Sequence, residues 1–524
     1  MDITRRNFIV QIGFTSLYMG FNPSFSTDFL SKKSQSLPRS TPEAQGVDAP
    51  KILDFIEAIN KSSHEFHSFM LMRNGYVVAE GWWSPYRPDL RHTMYSMSKS
   101  FTSTAVGFAV SEGELNVTDK IITFFPNELP ETVSPYLAQM TIKDLLTMSV
   151  GHETDTTGQV RSEENWVKKF LSLPIKYEPG TQFLYNSAAT YMCSAIVQKV
   201  TGQKIIDYLK PRLFDPLGIE GMDWESCPRG INIGGWGLRV KTEDLAKFGQ
   251  LYLQKGLWKG KQVVPAAWVE EATTFKIQQP GEQRDTNDWQ QGYCYQFWRC
   301  RHNAYRGDGA FGQYTIVMPD QNAVLAITSE SPNMGHQLNL IWEHILPALT
   351  PSKSISSSKS QQLRTKTAAL ALPLQNGNLQ TNLVNKISGK TFQLENNEMN
   401  IKNITLRFNK NGCRIKMEGK KETYEINSGL GKWKSGETTF PYNSLNISPP
   451  SSFSGLINKK TEVAGAWKNE TTFEMIWRYI ESPHHDVVTC EFEENNIKIT
   501  FLNSLAKINA NNKDARPVLR GKMI

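Results

Sequence analysis

Hydrophobic positions change their period along this chain, and each change marks a structural unit. An apolar run, Phe69-Met70-Leu71-Met72, breaks at Asn74-Gly75 and resumes as Tyr76-Val77-Val78-Ala79. Asn-Gly supplies the positive φ angles of a two-residue turn, so residues 69–82 predict a β-hairpin. A helical pattern follows over 97–111 and stops near Gly113, and a largely helical middle includes 142–148 and 188–201. After residue 290 the pattern predicts strands over 293–301, 305–309, 314–318 and 324–329, with Pro319-Asp320-Gln321-Asn322 turning the last two. An amphipathic helix over 334–349 closes the unit. A hairpin and a meander far apart in sequence thus flank a helical insertion. That layout predicts an α/β (α+β) fold: one antiparallel sheet flanked by helices, plus a helical lobe, with a site in the cleft between them.

Residues 351–366 (Pro351-Ser352-Lys353-Ser354-Ile355-Ser356-Ser357-Ser358-Lys359 and onward) are rich in Ser and Lys and read as a solvated linker. Beyond them the period becomes two, in Ile404, Leu406, Phe408; Cys413, Ile415, Met417; Phe473, Met475, Trp477, Tyr479; Val488, Cys490, Phe492; and Ile497, Ile499, Phe501. Turns at Asn411-Gly412 and Asn495-Asn496 make this a β-meander, expected to form a separate all-β barrel or sandwich over 367–524 with Phe473, Trp477 and Tyr479 on its inner face. At the other end, Thr4-Arg5-Arg6-Asn7-Phe8-Ile9 leads into an uncharged apolar run to about Phe21, too short to span a bilayer comfortably. Ser24 and Ser26 suit a cut after Ser26, so 1–26 predict an export signal and a periplasmic or secreted protein. The paired arginines resemble a twin-arginine signal and would equally serve an ordinary secretory one. The expected plan is signal 1–26, main domain 27–350, linker 351–366 and β-domain 367–524.

With 524 residues the chain exceeds one ordinary core. The net charge of +7 becomes +6 without Asp2, Arg5 and Arg6 of the leader, which is thin for this length. No Lys/Arg-rich run appears, so nucleic acid is excluded as a partner, and membrane contact is expected only during export. Six cysteines do not make a disulfide scaffold. Cys294 and Cys300 fall in one predicted strand, about 20 Å apart, and so cannot pair with each other. No Cys-x-x-Cys occurs. The adjacent His484-His485 should point to opposite faces, so no metal site is expected there, and no cofactor is expected elsewhere.

The chemistry concentrates in Ser96-Met97-Ser98-Lys99, at the start of the first predicted helix after the hairpin. Three-residue spacing puts hydroxyl and amine on one helical face, where a neutral lysine would take the serine proton and create a nucleophile. The same spacing recurs at Ser356/Lys359, in the linker, and at Ser504/Lys507, read as surface. Only Ser96/Lys99 has ordered companions: Tyr185-Asn186-Ser187, after the turn Glu178-Pro179-Gly180-Thr181 and before a helix, and Gly307-Asp308-Gly309-Ala310-Phe311-Gly312, opening the penultimate strand.

With Ile142-Lys143-Asp144-Leu145-Leu146-Thr147-Met148, Gly234-Gly235-Trp236-Gly237-Leu238 and Asp244-Leu245-Ala246-Lys247-Phe248, residues 40–349 resemble the serine β-lactamase and penicillin-binding-protein family, nearest to class C enzymes and their esterase and peptidase relatives. The resemblance implies that Ser96 is acylated, Lys99 is its proton partner, and Tyr185 helps activate Ser96 or water and protonates the leaving group. It also implies an oxyanion site from the N–H groups of Ser96 and, by alignment on Gly309, Gly312 and Pro319, Ala310. Tyr185 would be a base only if neighbouring cations, Lys99 foremost, favoured its phenolate. Gly234-Gly235-Trp236-Gly237 reads as a structural loop beside the cleft. Two departures stand out. Ser187 occupies the place of a class C Asn, and Gly307 that of the Lys or His opening the third motif. A substrate carboxylate loses its cationic anchor there and meets Asp308, with Arg306 or His302 as candidate replacements. These departures favour an esterase, amidase or D-amino-acid peptidase that attacks an ester or amide bond of a small molecule or peptide. The rivals are a catalytically silent penicillin-binding or ligand-sensing protein and a true class C-type β-lactamase; the oligomeric state stays open.

Overall fold

Asn74 and Gly75 take φ angles of 52° and 82°, joining the strands Glu65–Arg73 and Tyr76–Trp82 as the Asn-Gly pair requires. These coordinates, a computed structural model, describe residues 36–350, 359–440, 459–508 and 513–524. The expected signal and Ser356 lie outside the described residues. The hairpin is the edge of a six-stranded antiparallel sheet in the order Tyr76–Trp82, Glu65–Arg73, Ala323–Glu330, Gln313–Met318, Tyr305–Gly309, Trp298–Arg299. Met70, Met72, Val324 and Ala326 face the helical lobe, and alternate residues Phe69, Leu71, Leu325 and Ile327 face the helix Ala49–Lys61 and the C-terminal helical segments that begin at Met334. Burial on both faces explains why these strands read as unbroken apolar runs. In the lobe, Ser98–Ser111 is buried on nearly every side, beside Ser187–Thr201.

Three expectations change. Residues 293–301 are not one strand. Gln296 has φ 65°, Cys294 N–H donates to the Phe297 carbonyl at 2.9 Å, and only Trp298–Arg299 joins the sheet. The Gln296 amide causes the fold-back, donating to the carbonyls of Leu145 (3.2 Å) and Leu146 (2.8 Å) inside the lobe. The strand argument for separating Cys294 from Cys300 therefore falls, and all six cysteines are buried free thiols. The second half of the expected linker is the helix Ser360–Ala368, whose Leu363, with Leu370 beyond, is buried against the sheet. Finally, the 334–349 helix is interrupted by a π-turn, Ile341–Ile345.

Beyond it, ten strands from Thr391–Leu394 to Leu519–Met523 form one sheet. Parallel pairing of Gly429 and Leu430 with Ala464 and Gly465 closes nine of them into a barrel, with Lys434–Thr438 alongside Lys459–Trp467. Phe473, Met475, Trp477, Cys490, Ile499 and Phe501 fill the interior, as period two predicts. The barrel and the part built on the six-stranded sheet pack together as one compact unit, Ser36–Ile524. At their junction Arg478 Nη1 and Nη2 reach Glu65 at 2.5 and 2.9 Å.

Candidate active site

Ser96 lies in a 3₁₀ turn, Tyr95–Met97, that runs directly into the helix Ser98–Ser111. Tyr95 before it has φ 48°, a conformation that costs a bulky residue about 1–3 kcal/mol and that the surroundings must hold. Ser98 Oγ helps to hold it, donating to the Tyr95 carbonyl at 2.7 Å and accepting Leu238 N–H at 3.1 Å. Ser96 is half-buried, whereas Lys99 is only 2% exposed.

Lys99 Nζ makes three hydrogen bonds, to Ser96 Oγ (3.0 Å), Ser187 Oγ (2.9 Å) and the Gly235 carbonyl (2.7 Å). Burial draws its pKa down to about 7, against the opposing pull of Asp155 and Asp308. Near neutrality much of the amine is therefore uncharged. Two N–H bonds can then remain on Ser187 and Gly235 while its lone pair faces the Ser96 hydroxyl. Ser187 replaces the family's Asn and still contacts the lysine, because Asn186 caps its helix, its Oδ1 accepting Ala188 N–H at 3.0 Å. The loop expected to be structural contributes directly. At Gly235 a Cβ would lie 2.8 Å from the Ser187 carbonyl, so only glycine lets its own carbonyl approach Lys99.

Tyr185 is half-buried, stacked on Trp298 at 5.7 Å, with Lys99 Nζ 4.9 Å from its ring centre. Burial first, and then the charge of Asp308, push its phenol above the usual tyrosine range. The condition set for a basic Tyr185, cations that favour its phenolate, is therefore not met. Tyr185 is equipped to donate a proton, and Lys99 to accept one.

The glycines of the third motif are explained by packing. A Cβ at Gly309 would lie 2.1 Å from the Met94 carbonyl, and one at Gly307 would lie 2.5 Å from Met97 Sδ and 2.6 Å from Ser100 Oγ. The strand Tyr305–Gly309 thus lies flush on the nucleophile turn, with Ala310 immediately beyond its end. Met97 and Ser100 fill the space a lysine at 307 would need. Neither candidate replacement restores the anchor. His302 is exposed and packs on Trp342, and Arg306 is fully buried between Trp289 and Trp298, with Nε 3.0 Å from Asp308 Oδ2. The pair does remove the expected repulsion, since Arg306 compensates the Asp308 charge. Arg161 lies 5.4 Å from the ring centre of Trp236, which follows Gly235 in the chain.

Ser504/Lys507 is not the surface pair expected, because Ser504 is buried and donates to Glu330 Oε1 at 2.5 Å while Lys507 is exposed. His484 and His485 do not diverge either. Their Nδ1 atoms meet Glu330 at 2.5 and 3.3 Å, because His484 precedes the strand His485–Glu493 and is free of its alternation. Among the described residues Glu65, Glu330 and His485 are the group whose atoms gather closely enough for a metal ion, but Arg478, His484 and Ser504 already occupy their carboxylates.

The profile of the Beta-lactamase family matches residues 67–349, more than half of the chain. The chain belongs to the β-lactamase family. A 6-aminohexanoate-dimer hydrolase of Paenarthrobacter ureafaciens is 25% identical over 288 residues, covering 51% of this chain and 73% of the relative. A β-lactamase of Escherichia coli is 22% identical over 220 residues, 36% of this chain and 57% of its own. Among solved structures, a Bacillus anthracis protein assigned as a 6-aminohexanoate-dimer hydrolase superposes with a TM-score of 0.50 at 19% identity, covering 61% of this chain and 89% of that one. The β-lactamase family fold is thus shared.

Proposed function

We propose that this β-lactamase-family protein is a serine hydrolase of the esterase, amidase or D-amino-acid peptidase type, working through an acyl-enzyme on Ser96. The observation that carries the reading is the Lys99 amine, buried, 3.0 Å from Ser96 Oγ and drawn to about 7. Lys99 takes the Ser96 proton as Oγ attacks the substrate carbonyl, the N–H groups of Ser96 and Ala310 receive the oxyanion, and Tyr185 protonates the leaving amine or alkoxide. Protonated Lys99 then restores the Tyr185 proton, and in the second half Lys99 takes a proton from the attacking water and passes it to the departing Ser96 Oγ, which releases the acid.

The filled space beside Gly307 argues against efficient penicillin or cephalosporin turnover, since the usual lysine anchor for their carboxylate cannot be housed there. Arg161 is the cation offered instead, so Arg161→Met should raise KM several-fold for acidic substrates and leave neutral esters nearly unchanged. The leader-like residues 1–26 support export to the periplasm or medium. A panel of p-nitrophenyl esters, D-amino-acid amides and nitrocefin, with fluorophosphonate labelling, tests the reading on wild type and Ser96→Ala. Labelling and hydrolysis that vanish in Ser96→Ala are expected. An unlabelled, inactive wild type would instead point to a ligand sensor, and hydrolysis of nitrocefin alone to a true β-lactamase.

A further inference from the structure

The nucleophile turn is contacted from behind by the other domain. The barrel strands Thr472–Tyr479 and His485–Glu493 are joined by a short connection carrying Glu481, Ser482 and His484, and this tip reaches the catalytic part. The Glu481 carbonyl accepts Thr93 N–H at 3.0 Å and Thr93 Oγ1 at 2.9 Å, and the Ser482 carbonyl accepts the Tyr86 hydroxyl at 3.1 Å. His484, fully buried, goes furthest: its Nε2 is 2.5 Å from the Tyr95 hydroxyl and its Nδ1 2.5 Å from Glu330 Oε1. The same imidazole meets the Phe311 ring edge-on at 4.7 Å, and the Tyr95 and Phe311 rings meet at 5.4 Å.

Those two aromatic residues are special. Tyr95 (φ 48°) immediately precedes Ser96, and Phe311 (φ 66°) immediately follows Ala310. Both are bulky residues in the left-handed region, so their backbones keep that shape only while neighbours impose it. The Phe311 carbonyl is held from the sheet side by Ser331 N–H and Ser329 Oγ, each at 2.8 Å. His484 touches both side chains at once. Glu330 fixes the imidazole in turn, so the chain of contacts runs from the sheet through the barrel tip to the two turns.

We infer that the barrel completes the catalytic centre, with His484 a positioning residue that clamps Tyr95 and Phe311 and so aims the N–H groups of Ser96 and Ala310 at one point. The inference rests on the hydrolase reading for its chemical consequence, although the clamp itself does not depend on it. Misaimed donors stabilise the transition state less while leaving ground-state binding largely alone.

The full-length protein tests this with His484→Ala, His484→Gln and Tyr95→Phe. Expected for His484→Ala is a fall of about 10–100-fold in kcat for a p-nitrophenyl ester and in the rate of fluorophosphonate labelling, with KM within about two-fold. Glutamine, which keeps a donor and an acceptor, should recover much of the loss. Tyr95→Phe, which deletes one hydroxyl, should show the same split on a smaller scale, and it serves if the alanine variant does not fold. Amide hydrogen exchange should quicken in peptides covering 93–98 and 308–313 and stay unchanged over the helix Thr157–Arg161. Wild-type kcat in the folded His484→Ala and Tyr95→Phe proteins, or unchanged exchange in both peptides, overturns the inference. A wild type that neither labels nor hydrolyses sinks the hydrolase reading instead, and the exchange measurement still decides the clamp.

Discussion

Lys99 carries a conflict between stability and chemistry. Its folded pKa of about 7 lies well below that of an unfolded lysine, so at pH 7 and below, folding must place a group that prefers to be charged in a dry site. The same displacement makes it a base near neutrality. With the deprotonated amine as the active form, kcat/KM should rise with pH through about 7 and level off above, a profile readable with a neutral ester. Lys99→Met should abolish that limb with activity down about 1000-fold or more, while thermal denaturation at pH 6 shows no loss of Tm, because the buried charge goes with it. The Ser96–Lys99 pair was legible because a helix fixes three-residue spacing, and Tyr185 and Ser187 because they sit where a helix begins. Gly235 was not, since its role is played by a backbone carbonyl that carries no residue signature. The proton state of Tyr185 stayed conditional in the sequence because it depends on burial and on Asp308, a partner more than a hundred positions away.

At the scale of elements, what matters is how closely the strand Tyr305–Gly309 rides on the 3₁₀ turn and the helix that follow Met94. Gly309→Ala would drive a Cβ into the Met94 carbonyl, a backbone atom that cannot swing aside. It should cost about 1–3 kcal/mol in urea unfolding and lower kcat by more than it changes KM. The glycines were visible in the sequence, and the missing lysine was seen as a loss. Only packing reveals that Met97 and Ser100 have taken its room. Elements with one dominant determinant were read well: the Asn74-Gly75 hairpin, the sheet strands at 305–309 and 324–329, and the period-two strands of the barrel. Elements set by distant partners were not. A buried amide at Gln296 folds 293–301 back on itself, and two leucines in a polar stretch, Leu363 and Leu370, make a packed helix end from what composition alone reads as linker.

For the whole molecule, the junction between barrel and catalytic part is polar, with Arg478 buried and Glu65 partly buried. Burial alone would raise the Glu65 carboxyl, but Arg478, His67 and His485 outweigh it and hold the group well below the usual carboxylate range. Removing one partner strands the other. Glu65→Leu should destabilise by about 3–5 kcal/mol in denaturant unfolding, whereas Glu65→Leu with Arg478→Met should regain most of that loss. Full recovery in the single variant would mean that the pair contributes nothing. The junction was hidden from the sequence because its members are drawn from both ends of the chain. That distance has a consequence in time. Tyr95 and His484 stand 389 positions apart, and at about 5–20 residues per second a ribosome needs roughly 20–80 s to make the second after the first. During that interval the nascent chain holds its serine and lysine without His484 behind them, so on the proposed mechanism full activity comes only once the barrel has been made.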